Sequence, residues 1–144
     1  MEIKNMTLED SKQIQDFSEF DDFWNTNIFA QDIASKNALY YQAVDQGEVV
    51  GILGSSKILD IVEIRNIVVK KNKRKQGIGS KLLAYFVQEM KQDDTIQRIE
   101  LEVSEKNQIA ILLYQKQGFQ VVGKRPNYYA KDEDAILMNL EMKK

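Results

Sequence analysis

Hydrophobic and polar positions follow two different periods along this chain. Alternating or continuous apolar stretches predict seven strands, over residues 2–6, 38–44, 48–55, 61–69, 97–103, 119–123 and 135–141. Helical spacing of apolar residues predicts four helices, one opening at residue 7 and three over residues 26–35, 79–91 and 109–117. These elements interleave without a repeat or a linker, so we predict one mixed α/β domain over residues 1–144.

Local signals refine the two ends of this pattern. Residues 7–10 have the spacing of a capping box, which predicts a first helix that buries Ile14, Phe17 and Phe20. The single proline, Pro126, is predicted to lie between two strands. The third helix carries a continuous apolar stripe, formed by Leu82, Leu83, Phe86, Val87 and Met90.

A glycine-punctuated turn over residues 74–80 follows the longest apolar strand and leads into the third helix. A strand, a tight turn and a helix in this order present unpaired N–H groups where the helix dipole favours a phosphate. Gly77 and Gly79 would let the backbone approach such an anion closely. The residues alone equally allow a plain helix start beside a solvated lysine-rich turn. Five cations surround the turn: Lys70, Lys71, Lys73, Arg74 and Lys75.

Composition excludes several kinds of chemistry. The chain has no cysteine and no histidine, which rules out thiolate nucleophiles, Ser-His-Asp triads and cysteine or histidine metal sites. A general base must therefore be Glu, Asp, Lys or Tyr, or water held by them. The net charge of −2 argues against bulk binding to nucleic acid or to an anionic membrane. With no apolar leader and no run of eighteen apolar residues, we expect a cytoplasmic protein.

The turn and the segments after it resemble a known family. The pattern R-x-x-G-x-G over residues 74–79, directly after a strand ending in residues 66–69, resembles the acetyl-CoA pyrophosphate loop of the GNAT N-acetyltransferases. The order of the segments resembles the RimI-type branch, which acetylates the N-terminal alanine of ribosomal protein S18. The likeness is strong from about residue 61 onwards and weaker before it. Further matches lie at residues 101–103, Asn107, residues 113–114, 118–119, 127–129 and 133–138.

The resemblance implies a fold and a co-substrate. We expect a GNAT fold, with a central, mostly antiparallel sheet of six to seven strands flanked by about four helices. Acetyl-CoA would be the co-substrate, no metal would be needed, and the acetyl group would pass directly to an amine in a ternary complex. We expect a monomer or a weak dimer with no nucleic-acid or membrane partner. The implied cofactor contacts are Ile67, Val68, Val69, Arg74, Lys75, Gln76, Gly77, Ile78, Gly79, Ser80 and Asn107.

The resemblance also implies a base, an acid and a peptide site. Glu102 stands where the RimI type has its proposed proton acceptor, and Tyr114 where the departing thiolate is protonated. By spacing alone, Glu102 would be a surface carboxylate like Glu100, and Tyr114 would be a core aromatic. Asn107 would equally cap a helix. Tyr128 and Tyr129 match a pair that lines the peptide site of related N-terminal acetyltransferases, and without the resemblance they would be loop aromatics.

Acid–base magnitudes favour a protein N-terminus as the acceptor. An α-amine with a pKa near ~7.8 is about a tenth neutral at pH 7, whereas a lysine near ~10.4 costs roughly 3.5 kcal/mol more to neutralise. A GNAT enzyme acting on lysine or a small amine and a non-catalytic CoA-binding module are the alternatives. An acidic group at Glu19, Asp21 and Asp22 could attract a basic ribosomal-protein tail. Arg65 stands where close relatives often carry a small polar residue.

Overall fold

The computed structural model describes residues 1–21 and 26–142, and in that part of the chain it has seven strands and four α-helices. The expected mixed α/β fold, and its expected numbers of strands and helices, are confirmed. In chain order the elements are β1 (Glu2–Asn5), α1 (Leu8–Ser11), α2 (Thr26–Ile33), β2 (Ala38–Asp45), β3 (Glu48–Ile58), β4 (Ile61–Val69), α3 (Ile78–Lys91), β5 (Arg98–Ser104), α4 (Gln108–Lys116), β6 (Gln120–Ala130) and β7 (Glu133–Glu141).

The strands form one sheet in the order β1-β2-β3-β4-β5-β7-β6. Every neighbouring pair is antiparallel except β4 and β5, which run parallel. β4 lies at the centre of the sheet. Both faces of a central strand are covered, which accounts for its long apolar run. None of the helices in the described ranges is long and apolar enough to cross a bilayer.

Each face of the sheet carries its own core. The predicted stripe of α3 is buried in full and packs on Leu53, Val62, Ile64 and Leu101. On the opposite face, α2 contributes Phe29 and Ile33 to a second core. Its other buried members are Met6, Phe17, Phe20, Tyr40 and Ile52.

The first helix is shorter than the sequence predicts. The capping box forms as expected, with Thr7 and Asp10 each accepting the other's backbone N–H, but α1 ends at Ser11. Asp16 then accepts the N–H of Ser18 and begins a separate 3₁₀ turn over Phe17–Glu19. Ile14, Phe17 and Phe20 therefore reach the second core without belonging to one continuous helix.

The prediction that Pro126 lies between strands is wrong. Pro126 lies inside β6, which continues to Ala130 rather than stopping at residue 123. An edge strand tolerates proline because one row of its backbone groups faces solvent, so that no hydrogen bond is lost. The pairing of β6 with β7 also shifts between Arg125 and Ala130.

The two parallel strands separate after a short contact. β4 pairs with β5 only from Ile61 to Ile64, whereas its pairing with β3 continues to Val69. The register with β3 shifts between Gly54 and Ser55, which leaves Arg65 as an extra residue on β4. Bulges of this kind bend a strand and increase its twist. The bulge therefore coincides with the point where β4 leaves β5 and opens a gap in the sheet.

Candidate active site

The gap between β4 and β5 exposes one edge of each strand. Val68 and Val69 pair with β3 on one side, and no strand in the described ranges lies against their other side. β5 pairs with β7 along its whole length on the side away from β4, so the β4-facing edge of Glu102 and Val103 also has no strand partner in the described ranges. Backbone N–H and C=O groups along this edge of β4 are available to an extended ligand, which could pair with them as an added strand would.

The glycine turn lies at the end of the same strand. Lys75 and Gly77 both adopt left-handed conformations, with φ values of 66° and 81°. Gly77 is the N-cap of α3 and supplies no side-chain cap, so the first-turn N–H groups have no partner within the helix. A Cβ added to Gly77 would meet no atom within 4 Å. The turn is thus open, donor-rich and suited to a phosphate-bearing ligand.

Arg74 contacts the protein backbone. Its Nε donates to the carbonyl of Val69 at 3.1 Å, and a terminal nitrogen donates to the carbonyl of Phe20 at 2.6 Å. Arg74 therefore fastens the glycine turn to the end of β4 and to the 3₁₀ turn before α2. The exposed side chains of Lys75, Gln76 and Ser80 lie along the rim of the turn.

Lys70 and Glu19 neutralise each other in part. The Lys70 ammonium is 2.7 Å from Glu19 and 3.1 Å from Glu48, and its side chain is only 14% exposed. Hydrogen bonds from Lys70 to both carboxylates raise the pKa of the lysine. Glu19 is therefore engaged by this lysine, which weakens the prediction that it attracts a basic tail. Asp22, a further member of that predicted acidic group, lies outside the described residues.

Glu102 points away from the α3 core, as the alternation of β5 predicts. Its Oε1 lies 3.2 Å from a terminal nitrogen of Arg125 on β6, and its side chain is 23% exposed. Glu100 faces the same way but pairs with Arg98 at 2.6 Å. The two carboxylates are therefore distinct, since only Glu102 lies beside the aromatic end of β6.

Tyr114 is buried in the core on the α3 side of the sheet. It lies on α4, is 7% exposed, and packs edge-on against Phe119 with ring centroids 5.6 Å apart. Burial, with a smaller contribution from Tyr129, raises the pKa of Tyr114 to about 12. Burial also raises the pKa of Tyr129, and the charge of Glu102 raises it further. Tyr129 is thus coupled electrostatically to both predicted catalytic residues, although Glu102 faces away from the α3 core and Tyr114 packs within it.

The remaining predicted residues lie on either side of this centre. Asn107 is the N-cap of α4, and its Oδ1 accepts the N–H of Ala110 at 3.1 Å. The rings of Tyr128 and Tyr129 are 53% and 46% exposed and stand edge to face, with centroids 5.2 Å apart. The guanidinium of Arg125 lies 5.4 Å from the centre of the Tyr128 ring. Sequence reasoning missed Arg125, because cross-strand contacts leave no local signal.

A cavity of about 340 Å³ between α2 and β4 was also missed. Asp32 lines it, accepting a hydrogen bond from the Tyr40 hydroxyl and lying 3.3 Å from Nε of Arg65. Tyr40 fits there because Gly54 leaves room, since a Cβ on Gly54 would approach the tyrosine ring to 2.6 Å. Two residues of this cavity had been singled out in the sequence: Arg65, which stands where close relatives often carry a small polar residue, and Asn66, which opens the stretch of residues 66–69.

Comparison with known proteins gives one consistent result. Residues 3–119 match the model of the acetyltransferase (GNAT) family. A candidate ribosomal protein bS18-alanine N-acetyltransferase of Bacillus subtilis is 32% identical over 140 residues, covering 94% of this chain and 92% of that protein. An N-alpha-acetyltransferase of Sulfurisphaera tokodaii is 32% identical over 123 residues, covering 77% of this chain and 74% of that protein. The crystal structure of the Escherichia coli ribosomal-protein-S18-alanine N-acetyltransferase superimposes with a TM-score of 0.88 at 27% identity, covering 99% and 94% of the two chains.

Proposed function

Because the chain belongs to the GNAT acetyltransferase family and is an acetyl-CoA-dependent N-acetyltransferase, we propose that it acetylates the N-terminal α-amine of a protein, with ribosomal protein S18 and its N-terminal alanine as the acceptor. We further propose that residues 1–144 act as one domain. The observation that carries the proposal is the gap between β4 and β5. Glu102 lies on the β5 edge of this gap, where Arg125 joins it to the exposed Tyr128 and where Tyr129 is coupled electrostatically to Glu102 and Tyr114.

The names of the relatives support the choice of acceptor. Two are named as alanine N-acetyltransferases of ribosomal protein S18, and the archaeal one as an N-alpha-acetyltransferase. The candidate base supports it too, because an α-amine with a pKa near ~7.8 is already about a tenth neutral at pH 7, so a carboxylate can deprotonate it at a much lower free-energy cost than a lysine side chain.

Acetyl-CoA would be held at two places along one path. The N–H groups of Ile78, Gly79 and Ser80 at the start of α3 would bind its pyrophosphate, with Lys75 adding positive charge. The free edge of Val68 and Val69 would pair with its pantetheine arm, and a backbone N–H there would polarise the thioester carbonyl. Arg74 would keep these two places in register through its bonds to Val69 and Phe20.

Glu102 would accept the proton that the amine loses as its nitrogen forms the new amide bond. The carboxylate is partly exposed and held by Arg125, so a bridging water can connect it to the amine. The α-amine attacks directly, since the sequence offers no cysteine or histidine to form a covalent acetyl intermediate. The bond from the carbonyl carbon to sulfur then breaks, and the electron pair leaves on the thiolate.

Tyr114 would stabilise that thiolate. Its pKa of about 12 keeps the hydroxyl protonated throughout the neutral range. Complete transfer of this proton to a thiolate of ordinary pKa, near ~8.5, would be uphill by roughly 5 kcal/mol. We therefore propose that Tyr114 donates a hydrogen bond to the departing sulfur, and that solvent supplies the proton to the released thiol.

The acceptor is tested by mass spectrometry of competing amines. The protein is incubated with acetyl-CoA and three acceptors: an S18 N-terminal peptide, the same peptide with a blocked N-terminus and an internal lysine, and a small primary amine. We expect acetylation on the α-amine of the first peptide alone. Preferential modification of the lysine or of the small amine would contradict the proposal and leave another GNAT acceptor. Failure to acetylate any amine would support a non-catalytic CoA-binding module.

A further inference from the structure

Asn66 carries an unsatisfied polar atom beside the proposed reaction centre. Its Oδ1 is buried and has no hydrogen-bond partner among the residues that the structure describes. Buried amide oxygens are nearly always hydrogen-bonded, because an unpaired one destabilises the folded protein. The unpaired oxygen of Asn66 therefore calls for a functional explanation, since an apolar side chain at this position would avoid its cost to stability.

The bulge in β4 gives Asn66 its direction. Ile64 belongs to the core on the α3 side, whereas Val68 packs against the core on the α2 side. Asn66 is two residues before Val68 on the same strand, so both face α2. Arg65 is the extra residue of the bulge and lines the same cavity as Asn66. The cavity therefore opens beside Asn66, two residues before the proposed thioester-binding edge of Val68 and Val69.

The polar groups of the cavity are complementary to a peptide bond. Asp32 is already engaged by the Tyr40 hydroxyl and by Nε of Arg65, so the cavity does not present an uncompensated negative charge to a cation. The other polar residues that line it include Asn66, which carries a carboxamide, and a half-exposed Arg65, whose guanidinium has further N–H donors. An amide acceptor beside guanidinium donors matches the N–H and C=O of a peptide group.

We propose that Asn66 is a specificity-determining residue, whose carboxamide binds the first peptide bond of the acceptor, next to the reacting α-amine. The χ2 torsion of asparagine is broad and roughly twofold, so the carboxamide can turn its oxygen toward the cavity when a donor arrives. The N–H of the acceptor's second residue is that donor. This inference rests on the proposed function, because lysine side chains and small amines have no such N–H beside the reacting nitrogen.

The test removes the hydrogen bond from either side. Two acceptors are compared, an N-terminal alanyl peptide and the same peptide methylated on the backbone nitrogen of its second residue. For the unaltered enzyme we expect methylation to lower kcat/KM roughly tenfold or more, mainly through KM. Asn66→Ala should lower kcat/KM for the parent peptide by a similar factor and abolish the difference between the two peptides. Gln31→Ala shortens another polar side chain that lines the same cavity and should keep the full difference, so a loss of the difference would be specific to Asn66.

Thermal unfolding separates a binding role from a structural one. Asn66→Ala removes a buried oxygen that has no partner, so we expect the variant to melt at the same temperature as the parent or higher. A lower melting temperature, or an Asn66→Ala variant that still discriminates against the methylated peptide, would overturn the inference. If the unaltered enzyme acetylates both peptides equally well, the Asn66 inference alone fails. If it acetylates neither at the α-amine, the proposed function fails with it.

Discussion

Arg125 on β6 forms an ion pair with the carboxylate of Glu102 on β5, across the intervening strand β7. The guanidinium lies 3.2 Å from Oε1 of Glu102 and 5.4 Å from the centre of the Tyr128 ring. Because the Arg125 side chain is 56% exposed, water screens the ion pair and its effect on stability is small. Its geometric effect is larger, since one planar group contacts both the proposed base and Tyr128 of the proposed peptide site.

At the residue scale, we predict that Glu102→Gln and Tyr114→Phe separate turnover from cofactor binding. Loss of a general base lowers rates by about 10²- to 10⁴-fold. Loss of a hydrogen bond to a charged sulfur costs about 1.5–3 kcal/mol, or roughly ten- to a hundredfold in kcat. Both variants should bind acetyl-CoA like the parent, because neither residue belongs to the glycine turn. Kinetics with the S18 peptide and calorimetric titration with acetyl-CoA provide the two readouts.

Glu100→Gln is the matched control, since Glu100 lies on the same face of β5 but pairs with Arg98. It should retain the parent kcat. If Glu100→Gln were as slow as Glu102→Gln, the fall in kcat would come from the loss of a negative charge on β5 and not from the loss of a general base. Loss of acetyl-CoA affinity in Glu102→Gln or Tyr114→Phe would recast those residues as structural.

At the scale of elements, the two glycines at the start of α3 are needed for different reasons. Gly77 has a φ of 81°, which side chains rarely adopt, so its requirement is conformational. Gly79 lies inside the first turn of α3, and a Cβ there would make only an ordinary 3.7 Å contact with Val69. The fold therefore does not need glycine at position 79, whereas a ligand held closely by the backbone would.

We predict that Gly79→Ala weakens acetyl-CoA binding without weakening the fold. Alanine is about 1 kcal/mol better than glycine inside a helix, so the melting temperature should stay the same or rise. The added methyl group would stand where the proposed pyrophosphate approaches, and we expect at least a tenfold (~1.4 kcal/mol) loss of affinity. Gly77→Ala should instead cost about 1–2 kcal/mol of stability through its left-handed backbone. Unfolding and acetyl-CoA titrations of both variants give the comparison, and unchanged affinity in Gly79→Ala would contradict the cradle.

Elements with a strong period could be predicted from the sequence, and those set by contacts between elements could not. The stripe of α3 and the alternation of β5 are local patterns, and both appear in the fold. The short α1 depends on Asp16 starting a new turn, and the position of Pro126 depends on β6 being an edge strand. A single-sequence pattern does not say which strand is an edge.

The same division applies to the candidate site. The glycine turn is contiguous, so spacing and resemblance could identify it. The pair of Glu102 and Arg125 joins two strands that are separated by β7 in the sheet. The cavity joins Asp32 of α2 to Arg65 of β4, and it depends on a bulge for which no residue type is diagnostic. Such contacts arise from topology, and become visible only when the strands are placed side by side.

At the scale of the whole molecule, both cores contain buried tyrosines, which couple the stability of the protein to pH. Burial raises the pKa of Tyr41 and of Tyr114 to about 12, and raises that of Tyr40 further with the help of Asp32. An unfolded tyrosine has a pKa of about 10. Ionising these hydroxyls in place would leave charges in an apolar interior, so the folded protein holds its protons more tightly than the unfolded chain.

We therefore predict that stability is unaffected by these tyrosines below about pH 10 and falls as the pH rises from about 10 to 12. In that window the unfolded chain has lost protons that the folded protein keeps, so alkali favours unfolding. Each tyrosine contributes a slope of about 1 kcal/mol per pH unit. Lys70 acts in the same direction, because its ion pairs also raise its pKa. Urea unfolding at pH values from 8 to 11.5 measures the total slope of the free energy of unfolding against pH. Tyr41→Phe should reduce this slope above pH 10 by the contribution of one tyrosine and leave the pH dependence between pH 8 and 9 unchanged. Equal slopes for Tyr41→Phe and the parent above pH 10 would contradict this coupling and show that Tyr41 ionises as readily in the core as in water.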